Sequence, residues 1–220
     1  MMLLARTDVD APKHKGISYF LLNMKAPGVT VRPLTNIADT PSFNEVFFDN
    51  VRVPKKDLLG ELNRGWYVAT TTLDFERSGI INGVGLQAML REVVDYVRSG
   101  GRAHPVAPSL ATEIADRWIE TEISIVLSYR VATMQAKGLI PNQEASITKL
   151  FGSELGQRIA CTAMHAAGSY GQLDLGSPRA PLGGRFESWY RIAVGATLAG
   201  GTSEIQRSVI AQRGLGLPRG

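Results

Sequence analysis

The pattern of apolar and polar positions changes once along this chain, near residue 60. Before that point the apolar runs are short and bounded by turn residues. Gly16-Ile17-Ser18-Tyr19-Phe20-Leu21-Leu22-Asn23-Met24 is rich in β-formers and ends at Ala26-Pro27-Gly28. Val29-Thr30-Val31-Arg32-Pro33-Leu34 and Glu45-Val46-Phe47-Phe48-Asp49-Asn50-Val51-Arg52-Val53-Pro54 follow, and Leu3-Leu4-Ala5-Arg6-Thr7 reads as a strand that begins almost at the first residue. Pro33 and Pro54 belong at strand ends or edges, because proline cannot donate to a ladder. Strands this few form half a barrel or one sheet of a sandwich and leave an unpaired edge, so further strands are expected upstream of Met1.

From Gly65 the period becomes helical. The first helix is expected over 65–98, stopping at Ser99-Gly100-Gly101. A second follows Pro108 with Ser109 as N-cap, places Leu110, Ile114, Trp118, Ile125 and Tyr129 near one face, and ends at Lys137-Gly138. A third opens at Pro141-Asn142 and carries Ile147, Phe151, Leu155, Ile159 and Ala163 at every fourth position, ending near Ala167-Gly168. After a Gly/Pro-rich loop over 169–184 comes a fourth helix, 185–198, and then Gly200-Gly201 break the chain. In the last helix Ser203 and Gln206 have capping-box spacing. Helices joined by short loops favour an antiparallel up-and-down bundle. The fold class is therefore α+β, mainly α: a partial β-barrel or sandwich remnant over 1–58, followed by a helical bundle over 59–220.

Composition narrows the function. The chain has 220 residues, 44% hydrophobic and 20% charged, which is ordinary for a globular protein of one large or two small domains. The net charge of +4 comes from scattered residues with no basic run, which speaks against a nucleic-acid tail. Cys161 is the only cysteine, so no intrachain disulfide forms; that suits a reducing compartment, and its apolar helical surroundings suit a buried structural thiol. His14, His104 and His165 lie far apart, and no grouping of His, Cys and carboxylate has metal-ligand spacing. No stretch reads as a membrane span or signal peptide. A cytoplasmic location is expected, or the mitochondrial matrix if the source is eukaryotic.

Two stretches carry candidate chemistry. Glu76-Arg77 lies in a mostly apolar part of the first helix. A carboxylate there is either a solvated surface residue, the commoner case, or a base held in a partly dry pocket. Gly200-Gly201-Thr202-Ser203-Glu204-Ile205-Gln206-Arg207 reads as a glycine C-cap followed by a capped helix. Helix-start N–H groups beside two residues without side chains also let a bulky anionic ligand approach the backbone.

Taken in order, several segments resemble the acyl-CoA dehydrogenase family over nearly the whole chain. Leu4-Ala5-Arg6-Thr7-Asp8, Gly16-Ile17-Ser18 with Phe20, and Val46 through Pro54 are similar to its middle β-domain. Leu59-Gly60-Glu61 through Gly65-Trp66 resembles the start of its C-terminal helical domain, Gly168-Ser169-Tyr170-Gly171 its Gly-rich loop, and Gly201 through Arg207 its C-terminal signature. The resemblance implies FAD-dependent α,β-dehydrogenation of an acyl-CoA thioester, with electron-transfer flavoprotein or a similar acceptor as partner and a homo- or hetero-oligomeric assembly. In many members the catalytic base is a glutamate just before Gly-Thr-Ser; here that position is Gly200. Other members carry the glutamate on the first long helix before an arginine, which corresponds to Glu76 and Arg77. The resemblance therefore implies Glu76 as the base and a positioning role for Arg77. It implies that Thr202 and Glu204 contact the FAD adenosine portion and that Gly168 meets a neighbouring subunit's FAD. Two departures stand out. The family's arginine followed by Phe-Gly is missing, leaving Arg98 or Arg102 to reach the pyrophosphate, and the N-terminal helical domain and first half of the β-domain have no counterpart. A non-catalytic interaction subunit that donates FAD contacts to a full-length partner is the alternative from another class.

Overall fold

The computed structural model describes residues 1–76, 80–100 and 108–218, with the backbone alone for 74–76 and 80–82. The chain divides into two compact units, Met1–Phe75 and Glu76–Gly220.

In the first unit, β1 (Met2–Arg6), β2 (Ile17–Leu21) and β5 (Leu58–Leu59) form an antiparallel sheet in the order β1-β2-β5. β3 (Val29–Leu34) and β4 (Phe43–Phe48) form a separate antiparallel ribbon, with Val29 opposite Phe48 and Leu34 opposite Phe43. Among the described residues neither sheet closes into a barrel. The strand expected over 45–54 stops early: the chain turns at Asn50, whose φ is 49°, and Pro54 precedes a short 3₁₀ turn over Lys55–Asp57.

Helix α1 (Gly65–Glu76) lies in this unit up to Phe75, and its start makes a close backbone contact there. A Cβ on Gly65 would stand 2.3 Å from the Tyr19 amide nitrogen and 2.4 Å from the Ser18 carbonyl carbon, so only glycine lets the helix start rest on β2. The buried Ser18 hydroxyl ties the junction together: it accepts from the Asn63 amide at 2.8 Å and shares a hydrogen bond with Thr7 Oγ1 at 2.7 Å. The Trp66 ring stacks on His14 at 4.3 Å.

The second unit is all helical: α2 (Ile80–Arg98), α3 (Pro108–Ala136), α4 (Asn142–Ala167), α5 (Arg185–Ala196) and α6 (Ser203–Val209). Side-chain pairs give the directions. Arg130 meets Glu144, Arg158 meets Glu120, and His165 meets Glu113, so α3 descends as α4 rises. Lys149 and Gln157 reach Thr197, while Phe186 packs with Ala163, so α5 is antiparallel to α4 as well. One core group joins Val93, Leu110, Ala163 and Phe186; another joins Leu86, Leu90, Leu155 and Ile159.

Two details of the sequence reading are corrected. The helix α3 already includes Pro108, so Ser109 is a helical residue and not an N-cap. Its buried face runs through Leu110, Thr121, Ser124, Ser128 and Val131, whereas Trp118 and Tyr129 are exposed. Hydroxyls can occupy this face because they bond back along their own helix, Thr121 to the Arg117 carbonyl at 2.7 Å and Ser128 to the Ser124 carbonyl at 3.0 Å.

The contact at Gly65 yields a test. Gly65→Ala should lower stability by about 1–3 kcal/mol through forced backbone displacement, despite alanine's higher helix propensity. Urea denaturation of the two proteins measures it.

Candidate functional site

The site is built on the two glycines between α5 and α6. Gly200 (φ 66°) and Gly201 (φ 97°) both occupy the left-handed region, where a side chain is strained. Their carbonyls are gripped from two sides. Lys149 Nζ, from α4, donates to the Gly201 carbonyl at 2.7 Å and the Thr197 carbonyl at 3.4 Å. Gln206 Nε2, fully buried on α6, donates to the Gly200 carbonyl at 3.0 Å and the Gly201 carbonyl at 3.2 Å. The capping box expected of Ser203 and Gln206 is thus replaced. Thr202 is the N-cap, its hydroxyl accepting from the Ile205 amide at 3.3 Å, and Gln206 turns back to the loop.

The two glycines differ in what surrounds them. A Cβ on Gly201 would stand 2.6 Å from Gln206 Nε2, but one on Gly200 would meet nothing closer than Lys149 Cε at 3.9 Å. Space therefore exists at Gly200, and it opens on a mainly apolar cavity of about 580 Å³ among α2, α3, α4 and α5, with Leu86, Met89, Trp189, Ile192 and Lys149 in its walls.

Of the residues singled out in the sequence, Glu76 is the last residue of α1, and its side chain lies outside the described residues. Arg77 and Arg102 lie outside them altogether. Thr202 and Glu204 stand at the start of α6 beside Gly200. Glu204 is exposed; its own backbone N–H and then the Thr202 hydroxyl hold its carboxyl below the usual range. Gly168 (φ 60°) ends α4, where its N–H bonds back to the His165 and Met164 carbonyls. It stands nineteen positions beyond Lys149, roughly 28 Å at about 1.5 Å per residue. The structure thus groups Gly200, Thr202 and Glu204, and sets Gly168 at the opposite end of α4.

A second, polar cleft of about 510 Å³ lies beside α6, lined by Glu154, Arg158, Ser203, Glu204 and Arg207 among others. Two of its cations are paired, Arg207 with Glu154 at 2.6 Å and Arg158 with Glu120 at 3.2 Å. Among the described residues the buried Ser203 hydroxyl has no hydrogen-bond partner. Cys161, expected to be buried, is half-buried and lines this cleft. Near it the Glu113 carboxylate accepts from Thr162 Oγ1 at 2.7 Å and faces His165 Nδ1 at 3.1 Å. Burial alone would raise Glu113, but Thr162, His165 and Arg117 outweigh it and hold the carboxyl below its ordinary value. Among the described residues no cluster could hold a metal ion, and no helix is long and apolar enough to cross a membrane.

Lys149 and Gln206 escaped the sequence reading. A signal for Lys149 existed: it is the one cation in Ala145-Ser146-Ile147-Thr148-Lys149-Leu150-Phe151. Gln206 carried only its misleading capping spacing.

Two measurements check this geometry. Gln206→Leu leaves the Gly200 carbonyl without its side-chain donor and should cost about 1–3 kcal/mol in chemical denaturation. Because Glu113 is depressed in the folded state, its contribution is present above its unfolded pKa of about 4.3 and is lost as pH falls through the lower folded value. Glu113→Gln should therefore be less stable than wild type by on the order of 1 kcal/mol at pH 7, with the gap closing below pH ~4 in a series of denaturation curves.

A profile of the acyl-CoA dehydrogenase C-terminal domain matches residues 63–215. Acyl-CoA dehydrogenase FadE34 of Mycobacterium tuberculosis is 36% identical over 98% of this chain and 29% of its own length. A solved structure described as the Tcur3481-Tcur3483 steroid ACAD G363A variant superposes with a TM-score of 0.90 at 30% identity, covering 99% of this chain and 57% of that one. The ChsE4-ChsE5 complex from Mycobacterium tuberculosis superposes with a TM-score of 0.86 at 30% identity, over 100% of this chain and 57% of that one. The chain thus spans between about a third and a little over half the length of these relatives. With the profile covering most of the chain, and the Gly-Gly-Thr-Ser loop and helical unit in the arrangement described, this chain belongs to the acyl-CoA dehydrogenase family.

Proposed function

We propose that this chain supplies the base and part of the cofactor site for FAD-dependent α,β-dehydrogenation of an acyl-CoA thioester, with Glu76 as the base. The observation that carries the reading is Gly200: the position that bears the carboxylate in many relatives is a glycine with open space at its Cβ, beside an apolar cavity. The loop is gripped by Lys149 and Gln206, so the opening is built and held. Glu76 takes the α-proton as the Cα–H bond breaks. The electron pair forms the Cα=Cβ bond while hydride leaves Cβ. FAD, when bound, supplies the hydride acceptor, and electron-transfer flavoprotein or a similar carrier takes the electrons onward.

The residues at α6 suit such a cofactor. The buried Ser203 hydroxyl lacks a partner that a polar cofactor atom would provide, and Thr202 and Glu204 flank it. In this reading Thr202 and Glu204 hold the adenosine portion, with Arg102 reaching the pyrophosphate and Arg77 positioning the loop. Gly168 stands too far along α4 to share that part of one cofactor, so it serves the FAD of a neighbouring subunit. That separation also supports the second reading, an interaction subunit donating FAD contacts to a full-length partner. The base on the first helix, and a structural relative described as a steroid ACAD, favour a long, branched or otherwise bulky acyl group.

In the complete assembly, Glu76→Gln should lower turnover by about 10²–10⁴ while acyl-CoA binding is largely kept. Exchanging the positions, Glu76→Gly with Gly200→Glu, should restore part of the activity, less about 1–2 kcal/mol for a side chain at left-handed φ. Wild-type turnover in Glu76→Gln would remove the base assignment. The Glu76→Gln assembly also separates the two readings, because a chain that only donates FAD contacts to a full-length partner leaves turnover unchanged.

A further inference from the structure

Two different kinds of donor hold the loop carbonyls at Gly200. Gln206 Nε2 grips the Gly200 and Gly201 carbonyls with a neutral amide, at 3.0 and 3.2 Å. Lys149 Nζ grips the Gly201 and Thr197 carbonyls with an ammonium, at 2.7 and 3.4 Å. An amide satisfies a carbonyl without the cost of drawing a cation out of water. Lys149 is half-buried, so its charge carries a desolvation cost that the grip alone does not require. That charge stands at the opening: a Cβ on Gly200 would have Lys149 Cε as its nearest neighbour, at 3.9 Å. Of the described residues that line the cavity from α2, α3, α4 and α5, Lys149 is the one with an ionisable side chain. On α6, Glu204 and Arg207 line the polar cleft instead, with Arg207 paired to Glu154. The Lys149 charge is nevertheless felt across the loop. The Glu204 carboxyl, lowered chiefly by its own N–H and the Thr202 hydroxyl, is lowered further by the charges of Arg207 and Lys149. A carboxylate in the drier space at Gly200 is screened less by water, so the same charge acts on it more strongly.

We propose that Lys149 is the counter-charge of the base: its ammonium, fixed at the Gly200 opening, keeps the carboxylate that takes the α-proton ionised beside an apolar cavity. This rests on the reading of Glu76 as that base and adds the residue that keeps Glu76 able to accept a proton. A carboxyl in apolar surroundings alone tends to keep its proton near neutral pH, and a protonated base cannot take another. An ammonium about 4–6 Å away opposes that, lowering a carboxyl by about 1–3 pH units. Lys149 acts on the reaction through Glu76, as a positioning residue.

The test has two arms, on the chain purified, with whatever it associates with, from its own host. The first reads the charge without substrate. Gly200→Cys, made with Cys161→Ala so that this chain carries one thiol, is alkylated by iodoacetamide across a pH series and followed by mass spectrometry. With Lys149 in place the midpoint of the rate should lie below the ordinary thiol value of about 8.5. Adding Lys149→Met should raise it by about one pH unit or more, and Lys149→Arg should keep it low. A midpoint that Lys149→Met leaves in place overturns the proposal while the acyl-CoA reading stands. The second arm follows kcat/KM against pH with ferrocenium as electron acceptor. Its probe is butanoyl-, hexadecanoyl- or cyclohexylpropanoyl-CoA, whichever wild type turns over fastest. Losing an opposite charge raises a carboxyl's pKa, so the rising limb should move up by about one pH unit or more in Lys149→Met and stay near its wild-type place in Lys149→Arg. A lower rate at every pH with the limb unmoved makes Lys149 a clamp on the loop alone and overturns the proposal. Wild type that turns over none of the three removes the acyl-CoA reading, and Glu76→Gln at wild-type turnover removes the base reading; the proposal falls with either. If Gly200→Cys fails to fold, the second arm decides. If Lys149→Met fails to fold, Lys149→Gln, which keeps an uncharged donor on that side of the loop, replaces it in both arms.

Discussion

The close approach of helices around α4 is the constraint on which the rest of the helical unit depends. Its buried face carries Ala145, Ser146, Leu155, Gly156, Ile159, Ala160, Thr162 and Ala163, and most of these are small. Small residues let α2, α3 and α5 come near enough for their few large side chains, Leu90, Val93 and Phe186, to be fully buried. Hydroxyls on the shared faces find acceptors within the unit: Ser146 bonds to the Asn142 carbonyl, and the one Thr162 hydroxyl proton is shared between the Arg158 carbonyl and the Glu113 carboxylate. A Val in place of Thr162 would keep the shape but lose the hydroxyl that supports Glu113.

From this rigid helix Lys149 reaches the glycine loop. The Thr197, Gly200 and Gly201 carbonyls are partly withdrawn from water, a setting in which an unpaired acceptor costs more than a hydrogen bond normally contributes. A charged donor from α4 and an amide donor from α6 meet that demand together, so the loop is held by elements on both sides. The ion pairs along α3 and α4 have a different weight. The Arg130 side of the Arg130–Glu144 pair is largely exposed, and such a pair contributes about 0–1 kcal/mol; His165–Glu113 is a hydrogen-bond contact at the opposite end of the two helices. Their effect is on the register of the two helices more than on stability.

The same helix separates the Gly200 loop from Gly168. Its N-terminal half supports the Gly200 loop and the start of α6, and its C-terminal end presents Gly168. In the reading proposed, one chain therefore offers different parts of its surface to two cofactors. It also means that substitutions in the middle of α4, such as at Leu155 or Ile159, would disturb both ends at once through the core they share with Leu86 and Leu90.

Much of this was legible in the chain itself. The change from short β-runs to helical period, the breaks at Gly138, Gly168 and Gly200-Gly201, and the ends of α4 follow from local rules, because proline, glycine and capping residues act over a few positions. The family signature was legible for the same reason, being a contiguous string. Other features belonged to the tertiary structure alone. The periodicity of large residues on α3 selected Trp118 and Tyr129, yet the buried face is Thr121, Ser124 and Ser128, because neighbouring helices decide which side is covered and how close they stand. Gln206 looked like half of a capping box until the loop carbonyls, five and six residues earlier in sequence, were seen to need its amide. Gly65, Gly200 and Gly201 are one letter in the sequence. Only the surrounding atoms distinguish a glycine that admits a strand's backbone, one that admits the Gln206 amide and one with open space beside it, since the difference lies in what a missing Cβ would have touched.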